Sequence, residues 1–241
     1  MTIDLVQVPF GAAVAETLVD RRTGQTWTVD VKTFEIATTV VTVQQWDGLL
    51  DGRTSRSGPC YPKVEVSWRQ AVLFCNEMSL RDGLTPTYAV TTIEPPCGGR
   101  STWTPHYEPA ADDWHVAWDR TANGYRLPTE AEWQVACRAG STGPRYGDLG
   151  DIAWYAQNSD GSLHPVAQKK PNAWGLFDTL GGVWEWCWDL YDAEVYGPYR
   201  VIRGGGWSDP HWSCRVGVRR RTHPRAAFDD LGVRLARTSS S

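Results

Sequence analysis

The sequence predicts an α+β fold that is rich in loops, and three observations lead to this class. Three short segments carry helix start signals, while only a few short runs alternate in hydrophobicity as strands do. Helices and strands do not alternate regularly along the chain, which argues against a doubly wound sheet. The chain of 241 residues has 14 Trp but only 5 Phe, and rigid indoles suit a fold whose side chains fill gaps between loops.

Each predicted helix begins at a capping box, in which a Ser or Thr and a Gln or Glu three residues later cap each other's backbone N–H groups. The three boxes are Thr42-x-x-Gln45, Ser67-x-x-Gln70 and Thr129-x-x-Glu132. The apolar positions that follow at helical spacing are Val43, Trp46 and Leu50; Trp68, Ala71, Val72, Cys75 and Met78; and Trp133, Ala136 and Cys137. Glycines predict the three ends, at Gly52, Gly83 and Gly140.

Strands are predicted in three places. Residues 28–36 form the first, and Leu231, Val233 and Leu235 alternate in the last. Between them, residues 214–218 place Cys and Val inward and Arg outward in strand alternation. Residues 85–122 lack a clear period and are predicted to be a long loop. We expect one domain over residues 1–241.

Composition limits the function classes. The net charge of −4 gives no global reason to expect nucleic acid. No run of about 18 apolar residues occurs, so no membrane span is expected. The first residues lack a basic segment followed by an apolar one, so we expect no signal peptide and a cytoplasmic location. The 6 Cys form no Cys-x-x-Cys pair, which favours reduced thiols, four of them in the core.

Basic residues nevertheless cluster near the C-terminus, at Arg215, Arg219, Arg220, Arg221 and Arg225. Two interpretations stay open. The cluster binds an anionic partner, or it is one solvated strand face that forms salt bridges with Asp229 and Asp230. His106, His115 and His164 lack a partner pattern, and we interpret them as structural.

Several motifs occur together in a specific order. They are the segments 64–68, 124–133, 174–178, 181–186, 204–207 and 231–235, which read VEVSW, GYRLPTEAEW, WGLFD, GGVWEW, GGGW and LGVRL. Together they resemble the formylglycine-generating enzyme (sulfatase-modifying factor) family. This resemblance spans most of the chain and implies a C-type-lectin-like fold with little regular secondary structure. The short elements predicted above agree with it.

The resemblance also implies a chemistry. Family members oxidise a cysteine of a client sulfatase to formylglycine with copper that two thiolates hold. Cys214 matches the second of these cysteines, but the first falls on Asp209, and the family serine falls on Gly206. A carboxylate is a hard ligand that cannot replace a thiolate for Cu(I), so we do not expect copper-dependent cysteine oxidation. The alternative for Cys214 is a half-buried strand residue.

Another metal could occupy the same segment. Asp209, His211, Cys214 and His223 lie within fifteen residues, and two His with one carboxylate form the usual ligand set of non-haem iron. The catalytic candidates are therefore Cys214, Asp209 and His211. The alternative is that both histidines are ordinary surface residues.

The resemblance further implies a structural calcium ion in the loop of the Trp-Glu-Trp motif. The matching positions are Asp178 and Glu185 for carboxylate oxygens and Gly181 and Val183 for backbone carbonyls. Calcium binds six or more oxygens, which these groups and water supply. The alternative is that Glu185 only accepts bonds from backbone N–H groups in a tight loop.

Three function classes remain. The first is a binding module whose recognition surface for a protein, peptide or other ligand comprises Trp207, Trp212, Arg219, Arg221 and His223, with Asp209 and His211 between them. The second is an oxygen-dependent tailoring oxidoreductase with an altered metal centre that acts on a peptide or small metabolite. The third is a copper enzyme that borrows Cys187 or Cys97 as its second thiolate. The missing thiolate and serine favour the binding module.

Overall fold

A computed structural model of the protein describes residues 2–8, 13–49, 58–92 and 114–239. Its strands are β1 (Leu5–Val8), β2 (Val14–Val19), β3 (Thr26–Val31), β4 (Phe34–Ala37), β5 (Tyr88–Thr92), β6 (Trp114–Trp118), β7 (Tyr125–Arg126), β8 (Trp184–Leu190), β9 (Arg200–Arg203), β10 (Arg219–Thr222), β11 (Leu231–Gly232) and β12 (Ala236–Thr238). Its helices are α1 (Val43–Leu49), α2 (Trp68–Arg81), α3 (Glu130–Arg138), α4 (Leu149–Ile152) and α5 (Ala193–Tyr196).

The three capping boxes are confirmed. Ser67 and Thr129 each accept the N–H three residues on, and the Gln or Glu there accepts the cap N–H in return. Thr42 and Gln45 make the same pair of bonds at 3.2 and 2.9 Å. The third helix ends one residue earlier than Gly140, because Ala139 already adopts a left-handed conformation with φ 46°. Leu50 and Gly52 lie outside the described residues.

Two four-stranded sheets organise the described part of the chain. The first has the order β1-β4-β12-β7, so that the C-terminal strand β12 lies between β4 and β7. The second has the order β10-β9-β8-β11. In it β8, β9 and β10 are antiparallel neighbours, while β11 runs parallel to β8. The hairpins β2–β3 and β5–β6 complete the strand pairs.

The core joins these sheets to the two longer helices. One face of α2 packs with Trp184, Trp186 and the segment 231–235 in one apolar cluster. In a second cluster Trp133 and Cys137 of α3 meet Cys187 and Cys214. The C-terminal loop therefore rests directly on α3 and β8.

Three strand predictions need correction. Residues 28–36 are split between β3 and β4, because residues 32–33 belong to neither strand. Residues 214–218 form turns, and the strand begins only at Arg219; Cys214 and Val216 are buried as predicted, but by a loop that folds over α3. Strand β11 ends at Gly232, although the buried positions continue to Leu235.

The loop predicted over residues 85–122 contains β5, β6 and their hairpin pairing. Twenty-one residues separate the two strands, so the sequence offers no short turn signal between them. Cys75, Cys137, Cys187 and Cys214 are buried free thiols, as expected. None of the helices in the described ranges is long and apolar enough to cross a membrane.

Candidate functional site

A glycine turn positions the C-terminal loop. Strand β9 ends at Arg203, and Gly204 and Gly205 follow with φ of 103° and 89°, a conformation that glycine adopts without strain. A Cβ on Gly205 would lie 3.0 Å from the Cys214 Sγ. The turn therefore lets the loop from residue 206 onward fold back against the buried cysteine.

Asp209 anchors this loop. Its Oδ2 accepts the Trp184 indole N–H at 2.6 Å and the Gly206 backbone N–H at 2.9 Å, and its Oδ1 accepts a bond from Arg220 at 3.2 Å. Arg220 also donates to the Ser213 hydroxyl at 2.9 Å. Because three donors engage this buried carboxylate, Asp209 holds the loop in place and keeps little capacity for another ligand.

Cys214 is a buried thiol, and burial raises its pKa to about 12, with the nearby Asp209 charge acting in the same direction. The ordinary form at neutral pH is therefore S–H, which is neither a nucleophile nor a metal ligand. Arg145 fixes the neighbouring backbone by donating to the carbonyls of Cys214 at 2.9 Å and His211 at 2.5 Å. No pattern in the sequence signalled this role of Arg145.

Asp230 occupies the space beside Gly206. A Cβ on Gly206 would overlap the Asp230 carboxylate, so the side chain of the family serine has no room here unless Asp230 moves. Burial, followed by the charges of Asp209 and Asp229, raises the pKa of Asp230 to about 6. Two carboxyl groups thus lie where the resemblance implies a cysteine and a serine.

The donor set does not meet the preference of Cu(I) for two sulfur ligands, since Asp209 provides oxygen and only Cys214 provides sulfur. Burial also raises the pKa of Cys187 well above its usual range. Cys97 and His106 lie outside the described residues.

The predicted iron ligands are not brought together. Within the described residues, no three His, Cys, Asp or Glu side chains are grouped so that they could hold a metal ion. His211 is exposed and its ring packs edge-on against Trp212 at 5.2 Å. The His223 Nδ1 instead accepts the Arg225 N–H at 3.3 Å. Elsewhere, His164 stacks on Trp154 at 3.8 Å, in agreement with its predicted structural role.

The outward placement of Arg219 is also wrong. Its side chain is only 6% exposed and binds both oxygens of Glu130 at 2.8 and 2.9 Å. Its guanidinium lies 4.1 Å from the Tyr191 ring centre. Arg219 and Arg220 pair with Glu130, Asp20 and Asp209 rather than with the predicted Asp229 and Asp230. The alternation of 214–218 misled the prediction, because the strand starts at Arg219 and that residue faces the core side.

Other predicted surface residues are accessible. Trp212 is 55% exposed, Arg221 is exposed, and Trp207 and His223 are half-buried. Trp207 donates from its indole to the Asp229 carbonyl at 3.3 Å. These side chains lie around the anchored loop and can contact a partner.

Arg221 belongs to a second group that sequence reasoning missed, which we call the tyrosine–arginine patch: Arg22, Tyr191, Tyr196, Tyr199 and Arg221. The Arg221 guanidinium lies 3.6 Å from the Tyr196 ring centre, and Arg22 lies 5.3 Å from the same ring. Tyr196 packs edge-on against Tyr191 and tilted against Tyr199. Residues 190–199 have no periodic pattern, so the sequence did not indicate this patch.

The predicted calcium residues divide into two groups. Glu185 is fully buried and binds Arg234 through both oxygens at 2.7–3.1 Å, while Trp133 donates its indole N–H to Glu185 at 2.7 Å. Its partners are therefore side chains rather than the backbone N–H groups of the alternative. With Arg234 bound, Glu185 does not fit as a calcium ligand.

Asp178 does fit. Its Oδ2 accepts the Ala167 N–H at 2.7 Å, whereas its buried Oδ1 has no hydrogen-bond partner. Burial raises the pKa of Asp178, which reports the cost of a charge that is not fully compensated. Gly181 and Val183 follow in the same loop, and Gly181 has φ 74°. A bound cation would satisfy the Asp178 oxygen, so the calcium prediction stays a prediction, now centred on Asp178.

Comparison with known proteins places this geometry in a family context. The chain matches the sulfatase-modifying factor enzyme 1-like domain over residues 2–239. It is 30% identical to the solved structure of Treponema denticola variable protein 1, with a TM-score of 0.84 and coverage of 98% of this chain and 95% of that one. Such a match along the whole chain confirms the predicted loop-rich, C-type-lectin-like α+β fold.

Two curated relatives differ in how much they cover. The chaperone protein LppX of Paenibacillus barcinonensis is 27% identical over 87% of this chain and 82% of its own length. The formylglycine-generating enzyme of Streptomyces coelicolor is 36% identical over 51% of each chain. The chain thus spans about half the length of that enzyme.

Proposed function

This chain belongs to the formylglycine-generating enzyme (sulfatase-modifying factor) family, and from that premise we propose that it is a recognition module without copper-dependent cysteine oxidation. Its binding surface comprises the exposed or half-buried residues around the anchored C-terminal loop: Trp207, His211, Trp212, Arg221 and His223. Arg219, which is buried against Glu130, is not part of it.

The observation that carries this proposal is the position of Asp209. It stands where the family places a copper-binding cysteine, and its carboxylate engages Trp184, Gly206 and Arg220. Converting it into a metal ligand would leave a buried indole N–H and a half-buried guanidinium without their acceptor, which costs free energy. The site is therefore built to hold a loop.

The character of the surface supports binding. Tryptophan buries a large area on contact, and arginine adds planar, bidentate hydrogen bonding, so the two types often dominate the energy of interfaces. Trp212 is exposed although a rigid loop carries it, and Arg145 fixes that loop through two carbonyls. An ordered loop loses little conformational entropy when a partner binds.

The names of two relatives also support a recognition function. Two of the relatives that match along most of the chain are named a variable protein and a chaperone, while the relative named as a formylglycine-generating enzyme matches over about half of each chain. The alternative of an oxygen-dependent tailoring oxidoreductase relied on Asp209, His211, Cys214 and His223 as metal ligands. These residues are not grouped, so we do not propose it.

The test is an oxidation assay with a Cys-x-Pro-x-Arg peptide and added copper. We expect no aldehyde product by mass spectrometry above a control without enzyme. An active formylglycine-generating enzyme, assayed in parallel, shows that the peptide and the copper are competent. Aldehyde formed by this chain, and lost in Cys214→Ser, would overturn the proposal.

We also propose that Asp178 Oδ1 contributes to a structural calcium site, with backbone carbonyls of its loop. A ligand that binds only the folded state at a hundredfold excess over its Kd stabilises by about 2.7 kcal/mol. Calcium should therefore raise the melting temperature of the wild type and not that of Asp178→Ala, which lacks the ligand oxygen. Identical melting curves of the wild type in millimolar calcium and in a chelator would refute the site.

A further inference from the structure

Strand β10 lies at the edge of its sheet. It pairs with β9 on one side, and within the described residues no strand pairs with it on the other. Its residues 219–222 are half-buried or exposed. An edge strand presents backbone N–H and C=O groups that can pair with an extended peptide.

The side chains of β10 divide between two faces, as strand alternation requires. Arg219 and Arg221 both contact the Tyr191 ring, at 4.1 and 5.2 Å, and so lie on the face of the tyrosine–arginine patch. Arg220 lies on the opposite face, 4.8 Å from the Trp184 ring centre and paired with Asp209. The edge therefore separates two basic, aromatic surfaces.

The charges on these faces are unequally neutralised. Glu130 accepts bonds from Nε and Nη2 of Arg219, and Asp192 lies 3.4 Å from Arg22. Among the described residues, Arg221 packs against the rings of Tyr191 and Tyr196 and not against a carboxylate, so its N–H donors stay available to a ligand. Arg220 is 48% exposed despite its pair with Asp209. A second strand at this edge would meet positive charge on both faces.

Basic residues on an edge strand also hinder pairing with like-charged edges. The same charge favours an acidic strand, because complementary charge selects the partner and its register. The tyrosine rings that support Arg221 add apolar area beside the edge. Protection against self-association and selection of an acidic partner therefore follow from the same arrangement.

We propose that β10 binds an extended acidic peptide segment as an additional strand of the sheet. Backbone bonds supply the pairing, one acidic side chain meets Arg221 beside Tyr196, and a neighbouring one on the other face meets Arg220. This proposal rests on the proposed recognition function and names the class of partner. It extends the surface around Trp212 along the edge of the sheet.

The probe is a fluorescein-labelled, eight-residue peptide that repeats Val-Glu-Glu-Val, so that an extended strand presents glutamate on both faces, with binding to the full chain measured by fluorescence anisotropy. We expect saturable binding that Arg221→Glu weakens by about tenfold or more and Arg221→Gln weakens less. Lys32→Glu makes the same charge change at an exposed site outside this sheet and should leave the affinity unchanged. Thermal melts confirm that each variant is folded.

Backbone pairing is tested with N-methylated peptides. Alternate residues of a strand direct their N–H groups to the same neighbour, so methylation of one alternate set should abolish binding while methylation of the other set is tolerated. A peptide with lysine in place of glutamate should not bind. Absence of binding by the acidic peptide, equal affinity for both methylated forms, or equal affinity for the lysine peptide would each overturn strand addition at β10.

These outcomes are separable from failure of the proposed function. If the acidic peptide does not bind and the chain forms no aldehyde, only the β10 proposal fails. If the chain oxidises the cysteine peptide, the recognition function itself fails, whatever the affinity for the acidic strand.

Discussion

Two carboxylate–arginine pairs lie on either side of the second sheet. They share the same chemical groups but differ in burial and in the number of contacts. Glu185 and Arg234 are both fully buried and form two-oxygen contacts. Asp209 and Arg220 form one contact of 3.2 Å, with Arg220 half exposed. The Glu185–Arg234 pair connects secondary-structure elements in the core, while the Asp209–Arg220 pair lies next to solvent.

The difference follows from what surrounds each arginine. Arg234 also donates to the carbonyls of Ala37 and Phe177, and so connects β4 with the loop that carries Asp178. Arg220 is bound to a loop residue and a hydroxyl and lies on an edge strand. A buried pair of this kind holds the connected elements in place, whereas the residues of an exposed pair can exchange partners when a ligand binds.

The largest expected effect comes from breaking the buried pair. Arg234→Met should destabilise the fold by about 3–5 kcal/mol, because it leaves the Glu185 charge buried without its partner. Urea denaturation measures this change. The matched control is Glu35→Gln, which breaks a partly exposed pair with Arg237 and should cost about 1 kcal/mol or less. Equal losses of unfolding free energy in Arg234→Met and Glu35→Gln would contradict the difference that we assign to the buried and the partly exposed pair.

Asp209→Ala should have an intermediate effect. It leaves the Trp184 indole N–H buried without an acceptor, which costs about 1–3 kcal/mol. Trp184→Phe removes the donor as well, so the loss in the double variant should be smaller than the sum of the two single losses. Additive losses in denaturation experiments would show that this bond does not anchor the loop.

Replacing Asp230 should have a smaller effect on stability, and this effect should depend on pH. Its folded pKa of about 6 exceeds the ordinary aspartate pKa of 3.8, so the stability that it contributes is present below about pH 4 and is lost as the pH rises through 6. Asp230→Asn should therefore be more stable than the wild type at pH 7 and equal to it at pH 4. Since Asp230 is partly exposed, solvent screening limits the gain, and we expect about 2 °C in melting temperature. A gain in melting temperature that is independent of pH would contradict the titration of Asp230 as its cause.

The smallest expected effect is that of Trp212→Ala. Because Trp212 is exposed, the change should cost within about 0.5 kcal/mol of stability, although it removes a large part of the proposed binding surface. A loss of several kcal/mol would mean that Trp212 is part of the core and that the surface is misassigned.

Local signals in the sequence predicted local structure well. The capping boxes at Ser67 and Thr129 formed as expected, since every group in them lies within one helical turn. Burial of Cys214 was also predicted, but its strand was not correct, because alternating apolar residues can be buried by turns as well as by strands. The family motifs indicated the fold because they match along the whole chain.

Long-range partners could not be predicted. Arg219 binds Glu130, which lies 89 positions away, and Arg145 binds the backbone of Cys214, 69 positions away. Arginine is typical of surfaces, so nothing local distinguishes the buried Arg219 from the exposed Arg221. Glu185 was assigned to calcium from the family resemblance, and nothing local indicated its partner Arg234, which lies 49 positions away.

The most direct test of the central claim is a Cu(I) titration under anaerobic conditions against a competing chelator. It compares the Cys60→Ser protein, which lacks the one exposed thiol among the cysteines that the structure describes, with Cys60→Ser/Cys214→Ser. Since Asp209 is an anchor and Cys214 a buried thiol, we predict that the two proteins bind copper equally weakly. One equivalent of tightly held Cu(I) that disappears with the Cys214 thiol would contradict the account.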